Sequence, residues 1–462
     1  MRLILTFLFC LIFGIPISKG NSDSQLVKNR NDSVGVVIIK GLARTKERTI
    51  YREINFEPGR KIACSDSLLE RWELRISSLS LFNEVTCKQV NDTLVISVIE
   101  EFYYWFYPQG GFADRNFYNW AKTKQLGRLY FGGDFAFFNL FGLNHTLTLT
   151  VVGGYNQIYG LSYELPSSKY SNGWGGKFKT SYSQSHEIWL STENNRIKLY
   201  DLEPEYAQRI SNLDISAFRK LNYQNSLELG YSLNYHEISK TASFLNPVFF
   251  VFGNKQLSQM GYLNFTHDTR DQRHYPTNGN EIKINFSVTN QGYEKFNWVE
   301  SASFRWRNFL KINNHHHIAT LVYMQYKLGN LTYLNTRQLG YNNDYVRGYE
   351  SYVFDGRGVY LAKLAFRKAL FLGKVDLQKM NITKNYNNMP LSLWLSIFSD
   401  LGKIIEPNAI PLPVNNNLNY QIIRSFGLSI DMLAYYDILT RFDISKNNIG
   451  GWIFNISFRH AI

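Results

Sequence analysis

"LSLWLSIFSDLG", Leu391 to Gly402, carries Leu391, Leu393, Leu395, Ile397 and Leu401 at one parity and Ser392, Ser396 and Asp400 at the other. Successive side chains of a strand point to opposite faces, so this stretch is a strand with one apolar and one polar face. A helix would instead repeat its apolar residues every three or four positions. The same period of two runs through residues 102–462, in segments separated by turn residues. Examples are "YYWFYPQGGF" (103–112), "HTLTLTVVGG" (145–154), "GKFKTSYSQSHEIWL" (176–190), "EIKINFSVTN" (281–290), "GVYLAKLAFRKAL" (358–370) and "GWIFNISFRH" (451–460). The full reading predicts sixteen such segments. Strands of about ten residues with apolar-out, polar-in alternation and an even count are the pattern of a transmembrane barrel. Closure has a strict cause: an open strand edge in hydrocarbon leaves backbone groups without partners. A secreted β-sandwich would need core residues without aromatic belts.

The bulk composition agrees. Aromatic residues make up 16% of the chain, with 31 Tyr and 33 Phe, which suits many strands with one apolar face, a trait that soluble all-β chains share. Beyond the first twenty residues no apolar run approaches the ~18 residues a spanning helix needs. The formal charge is +13, with Lys and Arg scattered along the chain rather than gathered into a stripe, which argues against nucleic acid as a partner. The opening "MRLILTFLFCLIFGIPISKG" has Arg2, an apolar stretch Leu3–Ile17 and small residues Ser18 and Gly20. It reads as a secretory signal peptide, residues 1–20, with Cys10 inside the discarded piece. Export leaves Cys64 and Cys87 in a disulfide-permissive compartment, where a bridge and two buried thiols both fit.

Residues 34–101 have a different rhythm. "VGVVIIKGL" is an apolar strand, "RTKERTIYREI" a short amphipathic helix, and "NFEPG" a turn at Pro58–Gly59. "SDSLLERWELRISSL" is a second helix with Ser65 or Asp66 as its cap. "LFNEVTCKQV" and "TLVISVIEE" are two strands around Asn91–Asp92. The order β-α-α-β-β in about seventy residues makes one small α+β domain. With its Gly-Leu-x-Arg-Thr run and Leu-Phe-Asn-x-Val strand start, the segment resembles a POTRA (polypeptide-transport-associated) domain. The resemblance implies a periplasmic module that binds passing chains by adding a strand to an open edge.

Between "HIATLVYMQYKL" and "GVYLAKLAFRKAL" lies a connection, 329–358, far longer than a hairpin needs, and loops of that length are usually functional or disordered. Val346-Arg347-Gly348-Tyr349 in that loop, together with Phe398-x-Asp400-x-Gly402, resembles the outer-membrane assembly-factor superfamily, which includes BamA, TamA, organelle sorting barrels and two-partner secretion transporters. The resemblance implies that the loop folds into the lumen and that Arg347 meets Asp400 on the thirteenth strand. A guanidinium in a narrow lumen needs such a partner, and its fork fits a carboxylate bidentately. The family often adds a Glu on the twelfth strand, where this chain has Ala365. "HDTRDQRHYPTNGNEI" matches the family's periplasmic hairpin through Asp268, Arg270, Asp271, Pro276 and Gly279, with an expected brace of Arg270 between two aspartates. "ADRNFYNWAKT" (113–123) resembles the stretch after the first barrel strand. The family commonly ends in an aromatic residue, whereas here Phe458 is followed by four more residues.

Function follows from the same resemblance. It implies an assembly, insertion or translocation factor in the bacterial outer membrane, with the POTRA domain in the periplasm. Its partners would be unfolded outer-membrane or secreted client proteins, membrane lipid, and periplasmic or lipoprotein accessory subunits. Gly110–Gly111 and Gly450–Gly451 are expected to weaken a lateral seam between first and last strands, because glycine costs strand stability. The alternative is secretion of one soluble partner through the lumen, as in two-partner systems, although Asn21–Ser33 is too short and polar for their plug helix. A passive porin would leave the small domain and the long loop without a purpose. Neither a nucleophile with its base nor a paired-carboxylate site is legible, so an enzyme is not expected, and no cofactor is implied. His315-His316-His317 is not a metal site on this reading, since neighbours on a strand face opposite ways.

Overall fold

The computed structural model describes residues 32–54, 61–112, 128–167, 173–292, 296–376, 388–410, 415–434 and 438–460, apart from residues 78, 80, 203, 223, 273, 274 and 343. The predicted signal peptide, the Pro58–Gly59 turn and the 113–123 motif lie outside these. The chain divides into two compact units, 1–42 with 53–99, and 43–52 with 100–462. The expected boundary near residue 101 therefore falls at 99/100, and residues 43–52 group with the larger unit.

The N-terminal segment, residues 32–100, contains β1 (Asp32–Val34), β2 (Val36–Lys40), α1 (Glu47–Ile54), β3 (Ile62–Cys64), α2 (Asp66–Ser77), β4 (Phe82–Val90) and β5 (Thr93–Glu100). Apart from the short extra strands β1 and β3, which pair with each other, the order is the expected β-α-α-β-β. Its three-stranded sheet runs β2-β5-β4, with β2 parallel to β5. Leu94, Ile96 and Val98 alternate inward along β5, and Trp72 and Ile76, one helical turn apart, are buried on α2. The Ser65 backbone carbonyl accepts the N–H groups of Leu68 and Leu69, which opens α2. Asn91 takes the left-handed conformation, φ 55°, that the tight turn requires. Cys64 and Cys87 are both buried thiols. Burial, with Glu73 and Cys64 nearby, pushes the Cys87 thiol up to about 12, which leaves it inert.

The large unit is built on one sixteen-stranded sheet. Its first half contains β6 (Tyr104–Phe112), β7 (Leu129–Leu140), β8 (His145–Gly154), β9 (Asn156–Leu165) and β10 (Trp174–Ser185). A separate hairpin, β11 (Glu187–Glu193) and β12 (Arg196–Asp201), precedes β13 (Gln208–Lys220) and β14 (Asn225–Ile238). After α3 (Lys240–Leu245) come β15 (Lys255–Asp268), β16 (Gly279–Gln291), β17 (Trp298–Lys311) and β18 (His316–Gly329). The long loop holds α4 (Tyr333–Thr336), β19 (Arg337–Leu339) and β20 (Phe354–Asp355). The wall resumes with β21 (Gly358–Asp376), β22 (Asn388–Ile405), β23 (Ile422–Ala434), β24 (Ile438–Asn447) and β25 (Trp452–His460).

The wall strands pair antiparallel with their sequence neighbours, from β6 to β25, once the inserted β11–β12 and β19–β20 pairs are set aside. Along β23 exposure alternates residue by residue: Ile422, Phe426, Leu428 and Ile430 face out, while Ile423, Ser425, Ser429 and Asp431 are buried. An outer face of exposed apolar side chains around a polar interior is what hydrocarbon solvates, so this is a membrane-spanning barrel.

One predicted strand is shorter than expected. The 176–190 segment leaves the wall at Ser185, and Glu187–Glu193 instead forms half of the β11–β12 hairpin. Hairpin and wall strands share the period of two, so alternation could not mark the departure. Ile188 and Leu190 pack with Ile238, Phe249, Phe250 and Tyr333 in a buried cluster.

Candidate functional site

β22 explains its own sequence. Phe398, Asp400 and Gly402 are spaced by two, so all three face the same way. The Arg347 guanidinium carbon sits 3.5 Å from the centre of the Phe398 ring. Arg347 Nε donates to Asp400 Oδ2 at 2.8 Å, a terminal guanidinium nitrogen to Oδ1 at 2.6 Å, and the Arg347 amide to Oδ2 at 3.1 Å. A Cβ on Gly402 would stand 2.9 Å from Val346 Cγ2, so the glycine clears room for the loop. The Phe-x-Asp-x-Gly spacing is thus a shelf, a fork and a gap in one line.

Each residue of 346–349 has a different receiver. Val346 is fully buried with Leu339, Leu361, Ile404 and Ile423. Gly348 has φ +83°, where a side chain is strained, and its carbonyl accepts from Asn447 at 2.7 Å. Tyr349 is fully buried and its hydroxyl donates to Asn448. The β24–β25 end of the wall therefore reads the loop as closely as β22 does.

Asp400 is 0% exposed and Arg347 6%, so the pair is desolvated on both sides. On the twelfth strand, Lys363 stands opposite Asp400 in the ladder with its amine 3.9 Å from Oδ2. Ala365, at the position of the family's missing Glu, pairs with Phe398 instead. A second carboxylate comes from the loop: Glu350 accepts the Gly348 amide at 2.9 Å. Burial raises the Glu350 carboxyl, against the pull of the Gly348 amide and Lys363.

Sequence reasoning missed two further anchors. Arg305 of β17 bonds Asp344 at 2.7 Å, which ties the loop to a second wall strand, on the N-terminal side of the loop in sequence. Asp355 is buried where the Tyr341 hydroxyl donates to it at 2.6 Å, with Tyr341 also bonded to Thr192 of β11. Asp344 and Asp355 belong to no recognisable spacing, since their partners are more than ten residues away or on another hairpin.

Burial pushes Asp355 up to about 6, against the opposing pull of Thr192, Tyr341 and Arg337. A carboxyl raised in the folded state contributes stability below its unfolded value, and that contribution is lost as pH rises through about 6. The in-folded loop should therefore resist protease better at pH 5 than at pH 8, by on the order of 1 kcal/mol of opening free energy. Asp355→Asn should remove the pH dependence, and equal cleavage rates for the wild type at both values would contradict it.

The 268–279 turn is braced differently from the expectation. Arg270 bonds Asp268 at 2.9 and 2.8 Å and Glu281 at 2.8 Å. Asp271 does not take part in that brace: it accepts the Gln272 and Thr277 amides at 2.9 and 3.0 Å, because its side chain points into the turn. Gly279, at φ +96°, lies where a Cβ would meet the Thr269 carbonyl at 2.2 Å. Pro276 presents its carbonyl to Arg367 at 3.4 Å. Tyr275, 3% exposed, donates to Asp431 at 2.7 Å, and Asp431 is held by Arg441 at 2.6 and 2.9 Å. His316 and His317 point apart, onto Phe366 and Trp394.

Of the four seam glycines, Gly110 and Gly111 lie within β6, paired with Phe131 and Tyr130. Gly450 and Gly451 lie in the turn before β25, not in its ladder, and Gly450 has φ +114°. Gly450 gives the turn its left-handed step.

No protein-family model and no curated protein sequence matches this chain. Solved structures do. BamA from Haemophilus ducreyi lacking POTRA domains 1–3 superposes with a TM-score of 0.57 at 14% identity, over 93% of this chain and 84% of that one. CdiB from Acinetobacter baumannii superposes with a TM-score of 0.53 at 12% identity, over 92% and 73%. This chain has the BamA and CdiB fold. Identity this low means that backbone architecture, not side chains, carries the likeness. Within that BamA-type barrel, the wall strand bearing Asp400 is the thirteenth.

Proposed function

We propose that the protein is an outer-membrane assembly or translocation factor whose small β-α-α-β-β unit is a single periplasmic POTRA domain. The observation that carries this reading is the Arg347–Asp400 fork, which holds a thirty-residue-class loop inside a BamA-type barrel. A simple pore gains nothing from a desolvated ion pair that fills its own lumen. Client strands would be received by the small unit and passed to a seam between β6 and β25, where backbone hydrogen bonds are exchanged and no nucleotide is needed. Unfolded outer-membrane proteins are the clients this reading expects, with lipoprotein or periplasmic subunits as accessories.

The likeness to CdiB supports a second reading, export of one soluble partner through the lumen. Depletion separates the two. Under the first reading, several unrelated outer-membrane barrels fall at least several-fold in abundance when the protein is removed from its native cell. Loss of a single secreted product, with the barrels unchanged, would establish the second.

A further inference from the structure

On the outer face of β22, β23 and β24, cations break the apolar surface at one end among the described residues. Lys403, Arg424 and Lys446 all face outward there, on three adjacent strands, at the end that carries the long loop. Arg424 lies opposite Leu401 and one outward step from Ile422, which faces Lys403. Lys446 lies opposite Phe426, again one outward step from Arg424. The three cations thus form a diagonal row across neighbouring strands.

No ion pair joins any of the three to a carboxylate among the described residues. Lys403 donates to the Tyr420 carbonyl at 2.6 Å, and Lys446 lies over the Trp452 ring at 5.9 Å. Glu406, the nearby rim carboxylate, is already bonded to Arg357 and Tyr326. Elsewhere at this end an outward lysine does have its counter-charge: Lys255 lies 3.2 Å from Glu237.

Beside the row is a groove of about 200 Å³, floored where Ala362 is too small to fill the space between Val322 and Leu401. Met324, Tyr360 and Ile422 wall it, and Lys403 closes its end.

We propose that this face binds a phosphorylated saccharolipid of the outer leaflet, with an acyl chain in the Ala362 groove and phosphate on Lys403, Arg424 and Lys446. Long loops mark the extracellular side of such barrels, which places the row at outer-leaflet headgroups. Each cation near an anionic headgroup layer is attracted to it. The proposal does not depend on which client the barrel serves.

The test uses the full chain in phosphatidylcholine nanodiscs with and without bisphosphorylated lipid A, read by native mass spectrometry and by the temperature of heat-induced gel shift. Wild type should retain lipid A through detergent exchange and gain several degrees. Lys403→Gln/Arg424→Gln/Lys446→Gln should lose retention at least tenfold, and Ala362→Phe should weaken it with all three charges intact. Arg424→Gln alone, at an exposed position, should give an intermediate loss if the triple variant does not fold. Lys255→Gln should retain lipid as wild type does. Undiminished retention in the charge variants, equal loss in Lys255→Gln, or displacement of lipid A by millimolar inorganic phosphate would overturn the proposal.

Discussion

Arg347→Ala is expected to release the long loop from the wall and abolish function, while the barrel itself still folds. Asp400 is fully buried and takes three hydrogen bonds from Arg347. Among the described residues, removing the arginine leaves that carboxylate with Lys363 as its one cation, 3.9 Å away. Breaking a buried pair by deleting one partner costs about 3–5 kcal/mol. The loop-to-wall equilibrium should shift by at least a hundredfold at that cost. The rest of the loop would not compensate, because Arg305–Asp344 holds a different point and is partly exposed. Asp400→Ala should be as damaging, since it strands a guanidinium over the Phe398 ring. Asp400→Asn keeps the shape and one acceptor and should fall between them. Arg347→Lys should resemble Arg347→Ala, because an amine cannot span both carboxylate oxygens. Limited proteolysis of 329–358 and a complementation assay check the series. Wild-type protection and growth in both alanine variants would show that the fork has no role.

The second large effect is expected at the seam. If clients enter between β6 and β25, a disulfide joining Tyr104–Phe112 to Trp452–His460 should abolish insertion while leaving lumen conductance within about twofold of wild type. The reason is geometric: an added strand needs free backbone N–H and C=O groups on a strand edge, and a covalent tie keeps that edge occupied. Reduction should restore activity, which separates locking from misfolding. A crosslinked protein that still inserts clients would rule out lateral exchange, and one that loses conductance as well would favour passage through the lumen. Gly110 and Gly111 lie near the long-loop end of β6, and a Cβ on Gly111 would meet the Tyr130 hydroxyl at 2.7 Å. Pairing on that side is close, so weakness at the seam, where it exists, has to arise on the other edge of β6.

What the sequence by itself determined is whatever has a fixed spacing. A period of two settles strand, face and register at once, so the sixteen wall segments, the parity of Asp400 and the Phe398–Asp400–Gly402 line could be read directly. The helical turn between Trp72 and Ile76 and the Asn91–Asp92 turn were legible for the same reason. The in-folding of 329–358 came from four residues whose meaning lay in a family resemblance, not in their spacing.

Beyond the Arg347–Asp400 pair that the resemblance implied, only the tertiary structure decided which charges meet. Arg270 lies between two aspartates in sequence but chooses Asp268 and Glu281, because Asp271 is turned toward backbone amides. Asp431 meets Arg441 and Tyr275, and Asn447 and Asn448 receive Gly348 and Tyr349, across separations with no period to reveal them. The β11–β12 hairpin left the wall without any change in alternation. Local periodicity is set by backbone geometry and is written in the chain. Pairing inside the lumen is set by where barrel closure brings distant strands together, and a desolvated charge then takes whichever partner lies within reach.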